Sequence, residues 1–224
     1  MASKLTSVVI GAKAKHTATV VFLHGLGDSG HGWSFLGDEL SSLLPHVKWV
    51  MPNAPTVPIT INGGYRMPAW FDIIGSDKSN TKQQDQKGMM ASVSSVNQLI
   101  RQEVDGGIPS DRIIVGGFSQ GGVMSLLTGL TADYKLAGII GCSCWLTMAD
   151  QIKSIASESN KKTPFLMCHG DQDTMVQLGL GEESADKLKV LGYDVTFKKY
   201  LGLAHSASPA EIQDIATFIK DRLP

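Results

Sequence analysis

The 224-residue chain has few cysteines, almost no net charge and no long apolar run. Its 20 Lys and Arg residues balance 21 Asp and Glu residues and no basic tract stands out, so we expect no nucleic-acid partner. No apolar run approaches the roughly 20 residues that span a bilayer, and the N-terminal residues lack the apolar stretch of a secretion signal. The three cysteines, Cys142, Cys144 and Cys168, are interpreted as buried, reduced thiols. These absences predict a cytoplasmic protein, and they are compatible with the nucleus as a second compartment.

Short apolar runs alternate with helical patterns along the chain. The predicted strands lie at 7–10, 19–23, 48–51, 112–117, 136–142, 164–168 and 194–200. The predicted helices lie at 33–44, 83–104, 120–130, 149–156, 178–191 and 209–222. With 42% hydrophobic and 18% charged residues, this alternation predicts one α/β domain over residues 1–224, with a mostly parallel central sheet flanked by helices. Only about 20 residues separate the strands at 136–142 and 164–168, which leaves no room for a large lid domain. Residues 52–82 are predicted to form a long loop.

The most informative motif is Gly-Phe-Ser-Gln-Gly at residues 117–121, between a predicted buried strand and a predicted helix. Strand, Gly-x-Ser-x-Gly and helix in this order are typical of the nucleophile elbow of the α/β-hydrolase fold. Ser119 is therefore the candidate nucleophile. The flanking Gly117 and Gly121 are expected to make room for the sharp turn.

A serine nucleophile needs a histidine base and a carboxylate, which follow the serine in this order along such chains. His205 follows the last predicted strand, whereas His169 comes too early, so His205 is the candidate base. Asp173 is the preferred acid because it lies further into its loop, and Asp171, nearer the strand end, is the alternative. The backbone N–H groups of Gln120 and Leu26 are the predicted oxyanion-hole donors.

With these residues assigned, the chain resembles the acyl-protein thioesterases of the carboxylesterase/lysophospholipase type. The resemblance covers nearly the whole chain and rests on residues 22–33, 52–55, 67–72, 116–122, 143–146, 169–173 and 204–206. It implies the same triad and oxyanion donors, with no metal or cofactor. It also implies hydrolysis of acyl thioesters on protein cysteines, and of lysophospholipids or simple esters, with peripheral membrane contact and a weak homodimer. Some family members carry an acylatable cysteine beside the initiator Met, but this chain has Ala2 there, so membrane anchoring by that route is not expected.

A set of apolar residues near the expected site could line a channel for an acyl chain: Trp70, Phe71, Ile73, Trp145, Met175 and Val176. Trp70, Phe71 and Trp145 are equally well interpreted as core residues. His24 and His31 are interpreted as structural, and a metal site from them with His169 and Asp171 stays open, although no metal-binding motif is present. The alternative functions are a short-chain carboxylesterase, an acyltransferase, and a ligand-binding protein that does not hydrolyse its ligand.

Overall fold

The computed structural model describes residues 5–75 and 84–224 of the chain. Ala2 and the predicted helix start at residue 83 lie outside these described residues.

Seven strands form one mostly parallel sheet in the spatial order β1-β3-β2-β6-β7-β8-β9. They are β1 (Ser7–Ile10), β2 (Ala18–Leu23), β3 (Val47–Pro52), β6 (Ile113–Phe118), β7 (Gly138–Cys142), β8 (Phe165–Gly170) and β9 (Val195–Tyr200). Within this sheet of the described residues, β1 alone runs antiparallel to the other strands, and β1 and β9 are the edge strands. Because the parallel strands end at the same edge of the sheet, the loops after β2, β6 and β8 meet there.

The helices cover both faces of the sheet, which is why the central strands are continuous apolar runs. They are α1 (Ser34–Leu40), α2 (Gln86–Asp105), α3 (Gln120–Thr131), α4 (Ile152–Ile155), α5 (Leu178–Val190) and α6 (Pro209–Arg222). One buried core lies between the sheet and α2, α3, α4 and α5, and a second lies between the sheet and α1 and α6. Every residue of β2 is buried between these two cores.

The residues at the start of α6 explain why its bounds could be predicted. Helix α6 has the predicted bounds; the Ser208 hydroxyl oxygen accepts the Glu211 N–H at 3.2 Å, and Pro209 occupies the first turn. The predicted helix at 33–44 is shorter: a 3₁₀ turn at Gly30–Trp33 precedes α1, and α1 ends at Leu40, four residues before the predicted end. The predicted helix at 149–156 also divides into a 3₁₀ turn and α4.

The long segment at 52–82 contains a small sheet that the sequence did not predict. Strands β4 (Thr56–Ile59) and β5 (Tyr65–Pro68) pair antiparallel. Each has only four residues, and β4 contains Pro58, so neither produces a clear strand pattern. Gly63 and Gly64 have φ of 64° and 81° in the connecting turn, a conformation that glycine adopts without strain.

Within the described ranges, no helix combines the length and the apolar character that crossing a membrane requires.

Candidate active site

Ser119 lies in a strained turn between β6 and α3. Its φ of 54° and ψ of −121° are rare for a residue with a side chain, and such backbone strain concentrates at functional sites. The turn is tight because the strand and the helix approach closely: a Cβ atom on Gly121 would overlap the carbonyl of Leu23. A Cβ atom on Gly117 would likewise overlap the backbone of Gly121. The two glycines thus make the room that the sequence predicted.

His205 and Asp173 are joined by a short hydrogen bond. Nδ1 of His205 lies 2.7 Å from Oδ2 of Asp173, and since a carboxylate only accepts, Nδ1 donates. The other carboxylate oxygen, Oδ1, accepts the N–H groups of Met175 at 2.9 Å and Val176 at 2.8 Å. Asp173 is buried, whereas His205 is partly exposed. The bond orients the imidazole so that Nε2 is the nitrogen available to take a proton.

Asp171 has a different task from Asp173. Its Oδ1 accepts the N–H of Gly202 at 2.7 Å, in the turn between β9 and the histidine loop. Two main-chain hydrogen bonds join the same segments. The Asp171 N–H donates to the Tyr200 carbonyl at 3.1 Å, and the Gln172 N–H donates to the Leu203 carbonyl at 3.0 Å. The acid loop and the histidine loop are therefore bonded directly to each other, and Asp171 belongs to that connection.

A cavity of about 830 Å³ lies at the carboxyl edge of the sheet. Ser119 and His205 both line it, and the His205 ring packs on Phe118 with 4.7 Å between the ring centroids. Apolar side chains form much of the remaining wall: Phe35, Ile61, Ile73, Trp145, Met175 and Val176. The volume falls within the range of small-molecule sites.

The two predicted oxyanion donors line the same cavity. Gln120 is the first residue of α3, so its N–H has no acceptor within the helix, and the helix N-terminus favours negative charge. Leu26 lies in the loop after β2, where the N–H groups of the next two residues, Gly27 and Asp28, are already donated to Pro68 and Gly25. The backbone at both positions is thus held in place beside the cavity.

The structure brings four of the six candidate acyl-binding residues to the cavity, namely Ile73, Trp145, Met175 and Val176. Trp70 and Phe71 do not line it. Both are buried in the core on the α2 side, and they border a separate cavity of about 570 Å³ with that helix. The Trp70 indole N–H donates to the carbonyl of His24 at 2.8 Å, which holds the ring away from the catalytic cavity. We therefore remove Trp70 and Phe71 from the acyl-binding set.

The side chain of Gln120 has a role that sequence reasoning missed. Its Oε1 accepts the N–H of Trp70 at 3.0 Å and its Nε2 donates to the carbonyl of Phe71 at 2.9 Å. The residue is almost fully buried, so these bonds satisfy polar groups that water does not reach. Gln120 therefore anchors the Trp70–Phe71 main chain beside Ser119. A glutamine in the Gly-x-Ser-x-Gly motif carries no local signal for this partner.

His24 is structural, as the sequence suggested. Nδ1 donates to the Gly25 carbonyl at 2.7 Å and Nε2 accepts the Ala54 N–H at 3.0 Å, which requires a neutral ring. Burial lowers the pKa of His24, consistent with this tautomer. Among residues 5–75 and 84–224, the donor atoms of His24, His31, His169 and Asp171 do not converge on a common point.

Potential metal ligands do converge at Cys142, Cys168 and Glu211, whose donor atoms lie within 4.8 Å of one another. These residues are buried in the core between the sheet and α6 and do not line the catalytic cavity. Burial raises the pKa of Glu211 to about 7, and a hydrogen bond to Cys168 together with burial raises the pKa of the Cys142 thiol. The raised pKa values mean that Glu211 and Cys142 give up their protons to a metal less readily than ordinary groups do, which opposes metal binding. All three cysteines are free and buried, as predicted.

Comparison with known proteins relates this geometry to a family. Residues 5–223 match the model of the phospholipase/carboxylesterase family. The chain is 45% identical to an acyl-protein thioesterase 1 of Gibberella zeae, an alignment that covers 99% of this chain and 97% of the relative. It is also 45% identical to an acyl-protein thioesterase 1 of Neurospora crassa, with 97% and 91% covered.

Solved structures agree with these sequence matches. Arabidopsis thaliana SOBER1 superposes with a TM-score of 0.86 at 35% identity, covering 92% of this chain and 99% of that one. Zea mays acyl-protein thioesterase 2 gives a TM-score of 0.83 at 32% identity, with 98% and 99% covered. The predicted α/β-hydrolase fold is confirmed, and the described residues contain no separate lid domain.

Proposed function

The chain belongs to the phospholipase/carboxylesterase family, and we propose that it is a serine hydrolase that removes acyl groups from S-acylated proteins. In this proposal Ser119 is the nucleophile, His205 the general base and Asp173 the acid that orients the base. The backbone N–H groups of Leu26 and Gln120 form the oxyanion hole. The observation that carries the proposal is the bonded Asp173–His205 pair in the same cavity as a serine with a strained backbone.

The first half of the reaction acylates Ser119. Nε2 of His205 takes the hydroxyl proton as the serine oxygen attacks the thioester carbonyl, and the negative charge that develops on the carbonyl oxygen is stabilised by the two backbone N–H groups. The imidazolium that forms is stabilised by the buried Asp173 carboxylate. The carbon–sulfur bond then breaks, and the cysteine thiolate takes the proton from His205 and leaves.

The second half releases the acyl group. Water attacks the acyl-Ser119 ester while Nε2 of His205 takes a proton from that water. The second tetrahedral intermediate uses the same two N–H donors. Its collapse breaks the bond to the serine oxygen, which recovers its proton from His205. A free carboxylic acid leaves, and the enzyme returns to its starting state without a metal or cofactor.

The cavity wall suggests how the acyl chain is held. Ile73, Trp145, Met175 and Val176 provide an apolar surface next to Ser119. Each methylene that this surface buries contributes roughly 0.8 kcal/mol to binding, so a long acyl chain can supply much of the affinity. A short acyl group would leave most of the 830 Å³ empty, which favours long-chain substrates over those of a short-chain carboxylesterase.

The finer features of the proposal follow from the resemblance and the chain composition. Besides S-acylated proteins, the substrates include lysophospholipids and simple esters. The protein works in the cytoplasm, with the nucleus as a second compartment, as one domain spanning residues 1–224. It contacts membranes only peripherally, forms a weak homodimer and binds no nucleic acid.

The test combines covalent labelling with turnover. A fluorophosphonate probe should label the wild-type protein, should not label Ser119→Ala, and should label Ser154→Ala, which changes an exposed serine on α4. Hydrolysis of a palmitoyl-cysteine peptide should follow the same pattern. A correctly folded Ser119→Ala protein that retains substantial thioesterase activity would refute the nucleophile.

The same assay separates the alternatives. Turnover of acetyl esters with no turnover of palmitoyl thioesters would indicate the short-chain carboxylesterase. Binding of acyl compounds without any turnover would indicate a ligand-binding protein. Acyl transfer to an added alcohol in preference to water would indicate an acyltransferase.

A further inference from the structure

The loop that carries Asp173 is closed by a second histidine. His169 is in β8, and its Nε2 lies 2.8 Å from the carbonyl oxygen of Val176. Because a carbonyl oxygen only accepts, Nε2 carries a proton and donates it to this bond. The bond connects the two ends of the segment 169–176, with Asp173 between them.

Val176 links this bond to the carboxylate. While its carbonyl accepts from His169, its N–H donates to Oδ1 of Asp173 at 2.8 Å. The other carboxylate oxygen remains for His205, at 2.7 Å. The bonds therefore run from His169 through Val176 to Asp173 and on to His205.

His169 acts through Val176 and not directly on Asp173. Its Nε2 is 3.6 Å from Oδ2 of Asp173, which is too long for a hydrogen bond. Burial lowers the pKa of His169, so the ring is neutral and adds no positive charge beside the His205 imidazole.

The surroundings of His169 hold its ring in one orientation. The side chain is 1% exposed and stacks on Phe197, with 6.4 Å between the ring centroids. On helix α5, Gly181 faces Nδ1 so closely that a Cβ atom there would overlap it. The absence of a side chain at Gly181 therefore leaves the space that the His169 ring occupies.

We propose that His169 is a positioning residue for the catalytic acid, which it holds in place through the Val176 carbonyl. The inference rests on the proposed function, because it assumes that Asp173 orients His205 during catalysis. Misplacing a catalytic group by about 1 Å can cost roughly 100-fold in rate, so a bond that fixes the acid loop affects kcat more than KM.

Two substitutions test the role of the N–H donor. His169→Phe keeps an aromatic ring but removes the donor, and kcat should fall by about 30-fold while KM changes less than about twofold. His169→Gln keeps an N–H donor and should retain kcat within about fivefold of the wild type. His46→Phe is the control, because it removes a similar bond, from His46 to the Leu223 carbonyl at 2.7 Å, outside the catalytic cavity.

A spectroscopic readout distinguishes positioning from simple stabilisation. The proton between His205 and Asp173 is expected to give a downfield NMR signal in the wild type, and this signal should shift or broaden in His169→Phe and remain in His169→Gln and His46→Phe. A His169→Phe enzyme with the wild-type signal and with kcat within about threefold of the wild type would overturn the proposal. Equal loss of kcat in His169→Phe and His169→Gln would also overturn it.

The wild-type protein provides a test that does not depend on the folding of a variant. Nitrogen-15 NMR of the imidazoles should show His169 protonated at Nε2 and unprotonated at Nδ1, and the opposite tautomer would overturn the inference. Wild-type thioesterase activity is measured in parallel. Its absence would refute the proposed function, whereas normal activity with an unaffected His169→Phe variant would refute only the role of His169.

Discussion

The amide oxygen of Gln120 lies 3.0 Å from the main-chain nitrogen of Trp70 and accepts its hydrogen bond. The amide nitrogen of the same side chain donates to the carbonyl of Phe71. One residue therefore has two tasks: its backbone N–H is the proposed oxyanion donor, and its side chain anchors the segment next to the cavity.

Gln120→Ala separates these two tasks. The backbone N–H remains, but a buried N–H on Trp70 and a buried carbonyl on Phe71 lose their partner. Since each buried unpaired group costs about 1–3 kcal/mol, the free energy of unfolding should fall by roughly 3 kcal/mol, while kcat falls less than about tenfold. Urea unfolding and esterase kinetics measure the two effects, and a loss of stability below about 1 kcal/mol would contradict the anchoring role.

Asp173→Asn should lower kcat by about 10⁴-fold, because an amide favours the wrong tautomer of the His205 ring. Asp171→Asn is the matched control. Its amide oxygen can still accept the N–H of Gly202, so kcat should change by less than about threefold. Steady-state kinetics of both variants decide between the two carboxylates. The assignment of the acid is wrong if Asp171→Asn is the more damaging change in a folded protein.

Ile73→Ala should weaken selection for long acyl chains. The side chain lines the cavity. Shortening it should remove roughly 1.4 kcal/mol of apolar contact with a long acyl chain, which lowers kcat/KM for palmitoyl substrates about tenfold. Acetyl substrates, too short to reach it, should be unaffected. Ile74→Ala is the neighbouring control, because Ile74 is 44% exposed and does not line the cavity. A series of acyl lengths measures the effect, and uniform loss across the series would argue against Ile73 as an acyl contact.

Glu211 makes the stability of the protein depend on pH. Burial raises the pKa of its carboxyl to about 7 in the folded state, against roughly 4.3 in an unfolded chain. The folded state holds this proton more tightly, so the stabilising contribution is full below about pH 4 and is lost as the pH rises through about 7. Glu211→Gln cannot lose a proton and lacks this dependence.

The comparison of the two proteins at two pH values isolates the Glu211 contribution. Between pH 5 and pH 8 the wild type should lose about 2 to 3 kcal/mol more unfolding free energy than Glu211→Gln, as measured by urea unfolding. Other titrating groups affect both proteins equally and cancel in the difference. Parallel pH profiles would mean that Glu211 is ionised in the folded protein.

Features that depend on adjacent residues could be predicted from the sequence. The turn at Ser119 needs glycine at 117 and 121 because strand and helix backbones meet there, and the start of α6 is encoded by Ser208, Pro209 and Glu211. The strands of the sheet could also be predicted, because a run of consecutive apolar residues is itself a local pattern. In the α/β-hydrolase fold the loops after the parallel strands meet at one edge of the sheet. The chain order of serine, acid and histidine was therefore enough to select the candidates for the acid and the base.

Features that depend on distant partners could not be predicted in this way. An aromatic pair such as Trp70 and Phe71 can face a cavity or the core, and only the contacts with His24 and Gln120 determine which. The bond from His169 to Val176 joins residues seven positions apart in a loop whose shape no local pattern specifies. Strands β4 and β5 are too short for their pattern to be distinguished from a loop.

The direct bonds between the segment after β8 and the turn after β9 have a consequence for recombining this enzyme with its relatives. Asp171 and Gln172 bond only main-chain groups of the turn after β9, so the half of the site with Asp173 and His205 needs a parent that gives this turn the same main-chain shape. A chimaera with its crossover before residue 165 takes both segments from one parent. A crossover inside α5 takes the segment after β8 from one parent and the turn after β9 from the other.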